Sequence, residues 1–195
     1  MSFLLIQQSY QAKLSLFLEK AEAGDWINDC LAKVEFAQQL ERAWGCSDFA
    51  ADQAIGDPQG FRQLVESGDL ERAYSKTTLL DSLQQNISVI PKDDEKALGK
   101  QLRLFRCREM QRIIWRDLNR LADLTETTRD VTLLAEACTS VALDYLHPMI
   151  AKDMGKPLDS EGNEQKLLVI AMGKMGGGEL NLSSDIDLIF AYPEA

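Results

Sequence analysis

The sequence predicts a mainly helical α+β protein, and three observations carry that prediction. From Tyr10 to Ser88 and again from Lys96 to Lys152, apolar residues recur at intervals of three and four, the spacing that lines one face of a helix. Lys166 to Met172 reads KLLVIAM, a short continuous apolar run of the kind found in strands buried on both faces. From Asp185 to Leu188, polar and apolar residues then alternate, as in a strand with one covered face. The expected organisation is a helical region over residues 1–152, a loop over 153–165, and the start of a strand-containing domain over 166–195.

Within the first region, Leu14, Phe17, Leu18 and then Ile27, Leu31, Val34 mark short helices, with breaks at Gly24, Gly45, Asp57-Pro58 and Gly68-Asp69. Asp25, Ser47, Asp57 and Asp69 each precede a helical run, where a side-chain oxygen can accept from free backbone N–H groups. Leu40-Glu-Arg-Ala-Trp44 is echoed by Leu70-Glu-Arg-Ala-Tyr74, but two copies with unmatched flanks reflect helix-favouring composition rather than a solenoid.

A longer helix opens at Lys92-Asp93-Asp94-Glu95, anions at its positive end, and runs from about Lys96 to Ala122. Its stripe of Leu102, Phe105, Met110, Ile113, Ile114, Leu118 and Leu121 faces a core, while Arg108, Arg112, Arg116 and Arg120 align on one side at four-residue spacing. That basic side is either a solvated face paired with acidic helices or a face that docks acidic protein or phosphate. A further helix runs from about Asp130 to Lys152. His147, beside Pro148 near its end, reads as a capping or surface residue. Asp153 to Gln165 is polar and glycine-containing, hence loop.

The net charge is −10 with a pI near 4.6, while residues 100–120 alone carry +5. An acidic chain with one basic stripe lacks the broad basic surface that nucleic acid requires, so nucleic acid is not expected as a partner; a single nucleotide is not excluded. No run approaches the roughly 20 apolar residues of a membrane span, and Phe3 to Ile6 lacks the basic lead of a secretory signal. A cytoplasmic location without membrane attachment is expected. Cys30, Cys46, Cys107 and Cys138 stand singly in helical patterns with only one His in the chain, which suggests reduced core thiols rather than a zinc site or disulfides.

The chemistry-bearing stretch follows the apolar run and reads AMGKMGGGELNLSSDIDLIF over residues 171–190. It does not fit a Walker loop, since Leu168 stands where the first glycine belongs and Met175 follows Lys174, and no dinucleotide fingerprint threads through its glycines. Asp185 and Asp187 are two apart on a predicted strand, so both carboxylates share a face about 6.6 Å apart, with Ile186, Leu188 and Phe190 on the other as core. Paired carboxylates suit a shared hard cation, and Mg²⁺ takes one or two carboxylates together with substrate phosphates. Gly176, Gly177 and Gly178 remove side chains and expose backbone N–H groups on which phosphate can lie, and Ser183 and Ser184 add hydroxyl donors. Together these parts describe metal-assisted nucleotidyl or phosphoryl transfer.

At these residues the sequence resembles nucleotidyltransferases of the DNA polymerase β type, and most closely the bifunctional glutamine synthetase adenylyltransferase/adenylyl-removing family. That family carries GMGK-aliphatic-GGGELN-x-SSDIDLIF, with Ala171 here in place of the first Gly. Seven residues separate Gly177 from Asp185, a short spacing within the superfamily that this family shares. Cys46-Ser-Asp-Phe49, Ser67-Gly-Asp-Leu70, Leu104 to Met110, Trp115-Arg-Asp-Leu118 and Leu121-Ala-Asp-Leu124 resemble the helical region ahead of the motif. A uridylyltransferase would share the glycine and Asp-x-Asp logic but not this helical match.

The resemblance implies an N-terminal helical region followed by the first two strands of a polymerase β-type nucleotidyltransferase domain. It also implies the deadenylylating module, the first of two in the family. There, phosphate attacks the AMP phosphorus on a glutamine synthetase tyrosine and ADP leaves. Asp185 and Asp187 would hold Mg²⁺ and act as the catalytic carboxylates, while Gly176, Gly177, Gly178 and Ser184 would bind the nucleotide phosphates. The second module attaches AMP from ATP and answers to the PII signalling protein. Sites of this type draw a third carboxylate from a later strand, for which Glu194 is a poor candidate. The expectation is an incomplete, truncated catalytic domain, weakly active or inactive alone, or a non-catalytic helical module that docks glutamine synthetase or the rest of the enzyme through the Arg108–Arg120 face.

Overall fold

The computed structural model describes residues 3–20 and 25–193; Gly24, the capping side chain of Asp25 and Glu194 lie outside the described residues. The described chain is mainly helical: α1 (Phe3–Lys20), α2 (Asp25–Leu31), α3 (Val34–Cys46), α4 (Asp48–Gly56), α5 (Pro58–Glu66), α6 (Thr78–Ser88), α7 (Glu95–Leu118), α8 (Leu124–Met154), β1 (Leu168–Ala171), α9 (Gly173–Gly176) and β2 (Leu188–Ala191). It forms two compact units, Met1–Ala73 with Arg106–Thr127, and Tyr74–Phe105 with Thr128–Ala195.

The first unit is built around aromatic rings. Phe17 of α1 meets Trp44 of α3 edge-on at 5.2 Å and Phe61 of α5 at 5.9 Å, and all three are buried. Such edge-to-face pairs add about 0.5–1.5 kcal/mol beyond area burial. The expected break at Gly45 falls instead at Ser47, because α3 continues through Gly45 to Cys46. A Cβ at Gly45 would lie 2.5 Å from Ile6 Cγ2, so this glycine serves the close approach of α1 to α3. Lys13 ties α1 to α3 and α4 by donating to Trp44 O at 2.8 Å and to Asp48 Oδ1 at 2.6 Å. Its hydrogen bond holds the Asp48 carboxyl below the usual carboxylate range.

Ser47 and Asp57 cap as expected, accepting from Ala50 N at 3.2 Å and Gly60 N at 2.9 Å. Asp69 does not cap. It lies in a turn, 5% exposed, with its carboxylate bonded to Arg72 and Arg108. The Leu70–Tyr74 echo accordingly sits outside any helix, whereas Leu40–Trp44 lies within α3.

The arginine stripe is neither solvated nor presented to a partner along most of its length. Arg112 is fully buried and bonds Glu109 Oε2 at 2.9 Å. Arg108 bonds Asp69 and Glu109, and Arg116, 3% exposed, meets Glu126 at 2.8 Å as well as Leu121 O at 3.0 Å. Only Arg120 of the four is exposed. It lies past the end of α7, with φ +57°. There Leu121 N bonds Arg116 O at 2.8 Å and Arg120 N bonds Asp117 O at 3.0 Å, a Schellman closure that stops α7 at Leu118 rather than Ala122.

In the second unit, Asp94 caps α7 by accepting from Ala97 N at 2.9 Å, and Tyr145 of α8 donates to Pro91 O at 2.5 Å while accepting from Asp94 N at 3.0 Å. Helix α8 starts at Leu124 rather than near Asp130, since Asp123 accepts from Glu126 N at 2.7 Å. Strands β1 and β2 pair antiparallel, with Val169 opposite Phe190 and Ala171 opposite Leu188. The expected burial on both faces is not found: Leu168 is 47% exposed, Ile170 48% and Phe190 57%. Leu143, Leu146 and Ile150 of α8 and Val169 and Phe190 of the sheet line an open groove of about 790 Å³. The cysteines are free, but none is buried and Cys46 is exposed, so they are not core thiols.

Candidate active site

The site residues follow directly from the end of β1. Met172 N donates to Asp187 O at 2.9 Å, which continues the β1–β2 ladder by one pair and places Asp187 opposite Met172. The chain then enters α9, a single turn. Asp185 and Asp187 lie in the irregular segment immediately before β2, and both are exposed.

The glycine triplet does not offer its N–H groups as expected, because the turn uses them. Gly176 N donates to Met172 O, Gly177 N to Gly173 O and Gly178 N to Met175 O, each at 3.1 Å. The three glycines have separate reasons. A Cβ on Gly176 would stand 2.4 Å from Ala171 O, so Gly176 lets α9 fold back onto β1. Gly178 has φ +72°, the left-handed region that costs other residues about 1 kcal/mol or more. Gly177 has neither constraint: the nearest atom to its Cβ would be 3.7 Å away. It is exposed, and the fold does not explain its missing side chain.

Beyond the triplet, Leu180 is 4% exposed and its N–H donates to Thr132 Oγ1 of α8 at 3.1 Å. Asn181 then shapes the approach to the aspartates. Its Oδ1 accepts from Ser183 N at 3.3 Å and from Ser184 Oγ at 2.6 Å, and its carbonyl accepts from Ser184 N at 3.2 Å. The Ser184 proton is thereby committed to Asn181, so this hydroxyl holds the loop rather than pointing a donor outward. Neither Thr132 nor Asn181 is evident from residue chemistry alone. The Asn-x-Ser-Ser spacing is a signal for Asn181, since Asn side chains bond backbone two residues on.

Asp185 and Asp187 supply hard oxygen donors, and among the described residues no cluster of three His, Cys, Asp or Glu side chains surrounds them or stands elsewhere. A pair of carboxylates suits Mg²⁺ that completes its shell with phosphate and water. His147, at 3.4 Å from Glu164, lines the groove between α8 and the sheet. Lys156 bonds the same Glu164 at 2.6 Å, and the hydrogen bonds from Lys156 and His147 hold that carboxyl below its ordinary range.

A family model described as glutamate-ammonia ligase adenylyltransferase matches residues 37–195, from α3 through the aspartates. The chain belongs to this family. Among relatives named bifunctional glutamine synthetase adenylyltransferase/adenylyl-removing enzyme, that of Pseudomonas aeruginosa is 44% identical over 82% of this chain and 16% of its own length. That of Nitrosococcus oceani is 42% identical over 98% of this chain and 19% of its own length. This member of the glutamate-ammonia ligase adenylyltransferase family therefore spans less than a fifth of the relatives it matches. No helix among its described residues is long and apolar enough to cross a membrane.

Proposed function

We propose that this chain carries part of a nucleotidyltransferase site that removes AMP from an adenylylated tyrosine of glutamine synthetase by phosphorolysis. The observation that supports it is the placement of Asp185 and Asp187, both exposed just before β2, with Asp187 opposite Met172 at the end of β1 beside the α9 turn, within a segment matched by the adenylyltransferase family. In this reading a phosphate oxygen attacks the AMP phosphorus, the bond to the tyrosine oxygen breaks, ADP departs and the tyrosine oxygen takes up a proton. Asp185 and Asp187 would hold Mg²⁺, which neutralises charge on the phosphates. Gly177 would let phosphate approach the main chain closely, while Gly176, Gly178 and Ser184 shape the loop that presents it. ATP-dependent adenylylation and response to PII belong, in the same reading, to the longer family enzyme, acting in the cytoplasm.

Calorimetric titration of the chain with ADP and Mg²⁺ tests the site. Expected is binding that requires Mg²⁺ and weakens at least tenfold in Asp187→Asn. Binding indifferent to Mg²⁺ and to Asp187 overturns the reading. Release of ADP from adenylylated glutamine synthetase on adding phosphate tests the direction of the chemistry. The alternative of a docking module working through the arginine face is disfavoured, because Arg108, Arg112 and Arg116 are bonded internally.

A further inference from the structure

The span from Gly173 to Asp187 buries only two side chains, Met175 and Leu180. Leu180 is also fixed through its main chain, and the group that fixes it lies on α8, 48 residues earlier. Thr132 is 4% exposed, and its hydroxyl donates to Thr128 O at 2.8 Å while accepting from Leu180 N at 3.1 Å. A hydroxyl has one proton and two lone pairs, so the two bonds do not compete. The donation to Thr128 also orients the oxygen, turning a lone pair toward Leu180. Leu180 in turn precedes Asn181, whose side chain holds Ser183 and Ser184 ahead of Asp185. Hydrogen bonds thus anchor the chain to α8 at Leu180 and then fold Asn181 to Ser184 into a turn that ends at the residue before the first aspartate.

Apolar packing alone does not call for a hydroxyl at this position, since valine has nearly the same shape. From this geometry we infer that Thr132 is a positioning residue: it pins the loop at Leu180 so that Asp185 and Asp187 are held where phosphate and metal are bound. The inference rests on the reading of those aspartates as a Mg²⁺–nucleotide pair. Thr132→Val leaves the buried Leu180 N–H without its acceptor, a loss worth one to two powers of ten in a local opening equilibrium. Thr132→Ser keeps the oxygen.

Hydrogen exchange over residues 176–187 and Mg²⁺-dependent ADP titration, run side by side on the whole chain, test this. Expected for Thr132→Val is exchange at least tenfold faster in that span, unchanged exchange in α1 to α5, and ADP binding about tenfold weaker, with Thr132→Ser within twofold of the parent in both. Should Thr132→Val not fold, Thr132→Ala removes the same oxygen with less bulk and is read identically. Parent-like exchange in the variants lacking the oxygen, or a Thr132→Ser variant as impaired as Thr132→Val, overturns the pin. Faster exchange with parent-like ADP affinity overturns its link to binding, provided Asp187→Asn still loses affinity. If Asp187→Asn binds ADP as the parent does, the reading of the aspartates fails instead, and the exchange arm alone decides the pin.

Discussion

Gly176 and Gly177 are neighbours in one turn, yet the structure gives them opposite sensitivities. Gly176→Ala places a methyl 2.4 Å from Ala171 O, where only a backbone shift relieves the clash. It should cost about 1–3 kcal/mol, read as a lower urea midpoint. Gly177→Ala meets nothing closer than 3.7 Å and should keep the parent midpoint while weakening Mg²⁺-dependent ADP binding. Equal destabilisation by both substitutions would show that the turn is not built as described. The sequence motif made the triplet and the two aspartates recognisable as a set, because residue type and spacing along the chain are local information. What it left hidden is which glycine answers to packing, which to backbone conformation and which to neither, since that depends on where Ala171 O stands. Asn181 was visible in the motif only as one of its letters; its role emerges once Ser183 and Ser184 are seen folded back onto it.

At the level of elements, α7 shows where sequence reading succeeds and where it stops. Caps formed within three residues, such as Ser47 to Ala50 and Asp57 to Gly60, follow from adjacent residues and were legible. Asp69 carries the same local signature but is drawn away by Arg108, 39 residues later, an interaction that spacing does not announce. The end of α7 was equally hidden, because a non-glycine residue, Arg120, occupies the left-handed position that usually marks a helix stop with Gly. Four-residue spacing does align Arg108, Arg112 and Arg116 on α7, with Arg120 past the helix end, but a stripe of charge looks alike whether it meets water or carboxylates. Burial now sets its energetics. Glu109 is 1% exposed and bonds Arg112 at 0%, and removing one member of a buried ion pair is strongly destabilising. Glu109→Ala should therefore destabilise by about 3–5 kcal/mol, whereas replacing both with Glu109→Leu and Arg112→Met should cost far less. Thermal unfolding of the single and double variants checks this; a double variant as unstable as the single would mean that packing, not charge, is what matters there.

For the molecule as a whole, the charge balance takes on a different meaning once the cations are located. Arg108, Arg112 and Arg116 are matched by Asp69, Glu109 and Glu126 within one unit. Three of the seven cations of residues 100–120 are thus paired internally while Lys100, Arg103, Arg106 and Arg120 stay exposed, and the net charge of −10 leaves copies mutually repulsive. The two-stranded sheet adds the opposite tendency: Leu168, Ile170, Met172, Ile189 and Phe190 are each more than two-fifths exposed. Exposed strand edges and apolar faces promote association, and like charge opposes it. At neutral pH, with a net charge of −10, copies should repel; near the pI of about 4.6 that repulsion vanishes. Light scattering should then show particle size rising steeply as pH falls toward that value, and rising less in Ile170→Lys, which puts a cation on the sheet. Size unchanged across that range would show that the sheet is not the adhesive surface. In colloidal terms the sheet is a sticky facet, kept from its like by the electrical double layer around the chain.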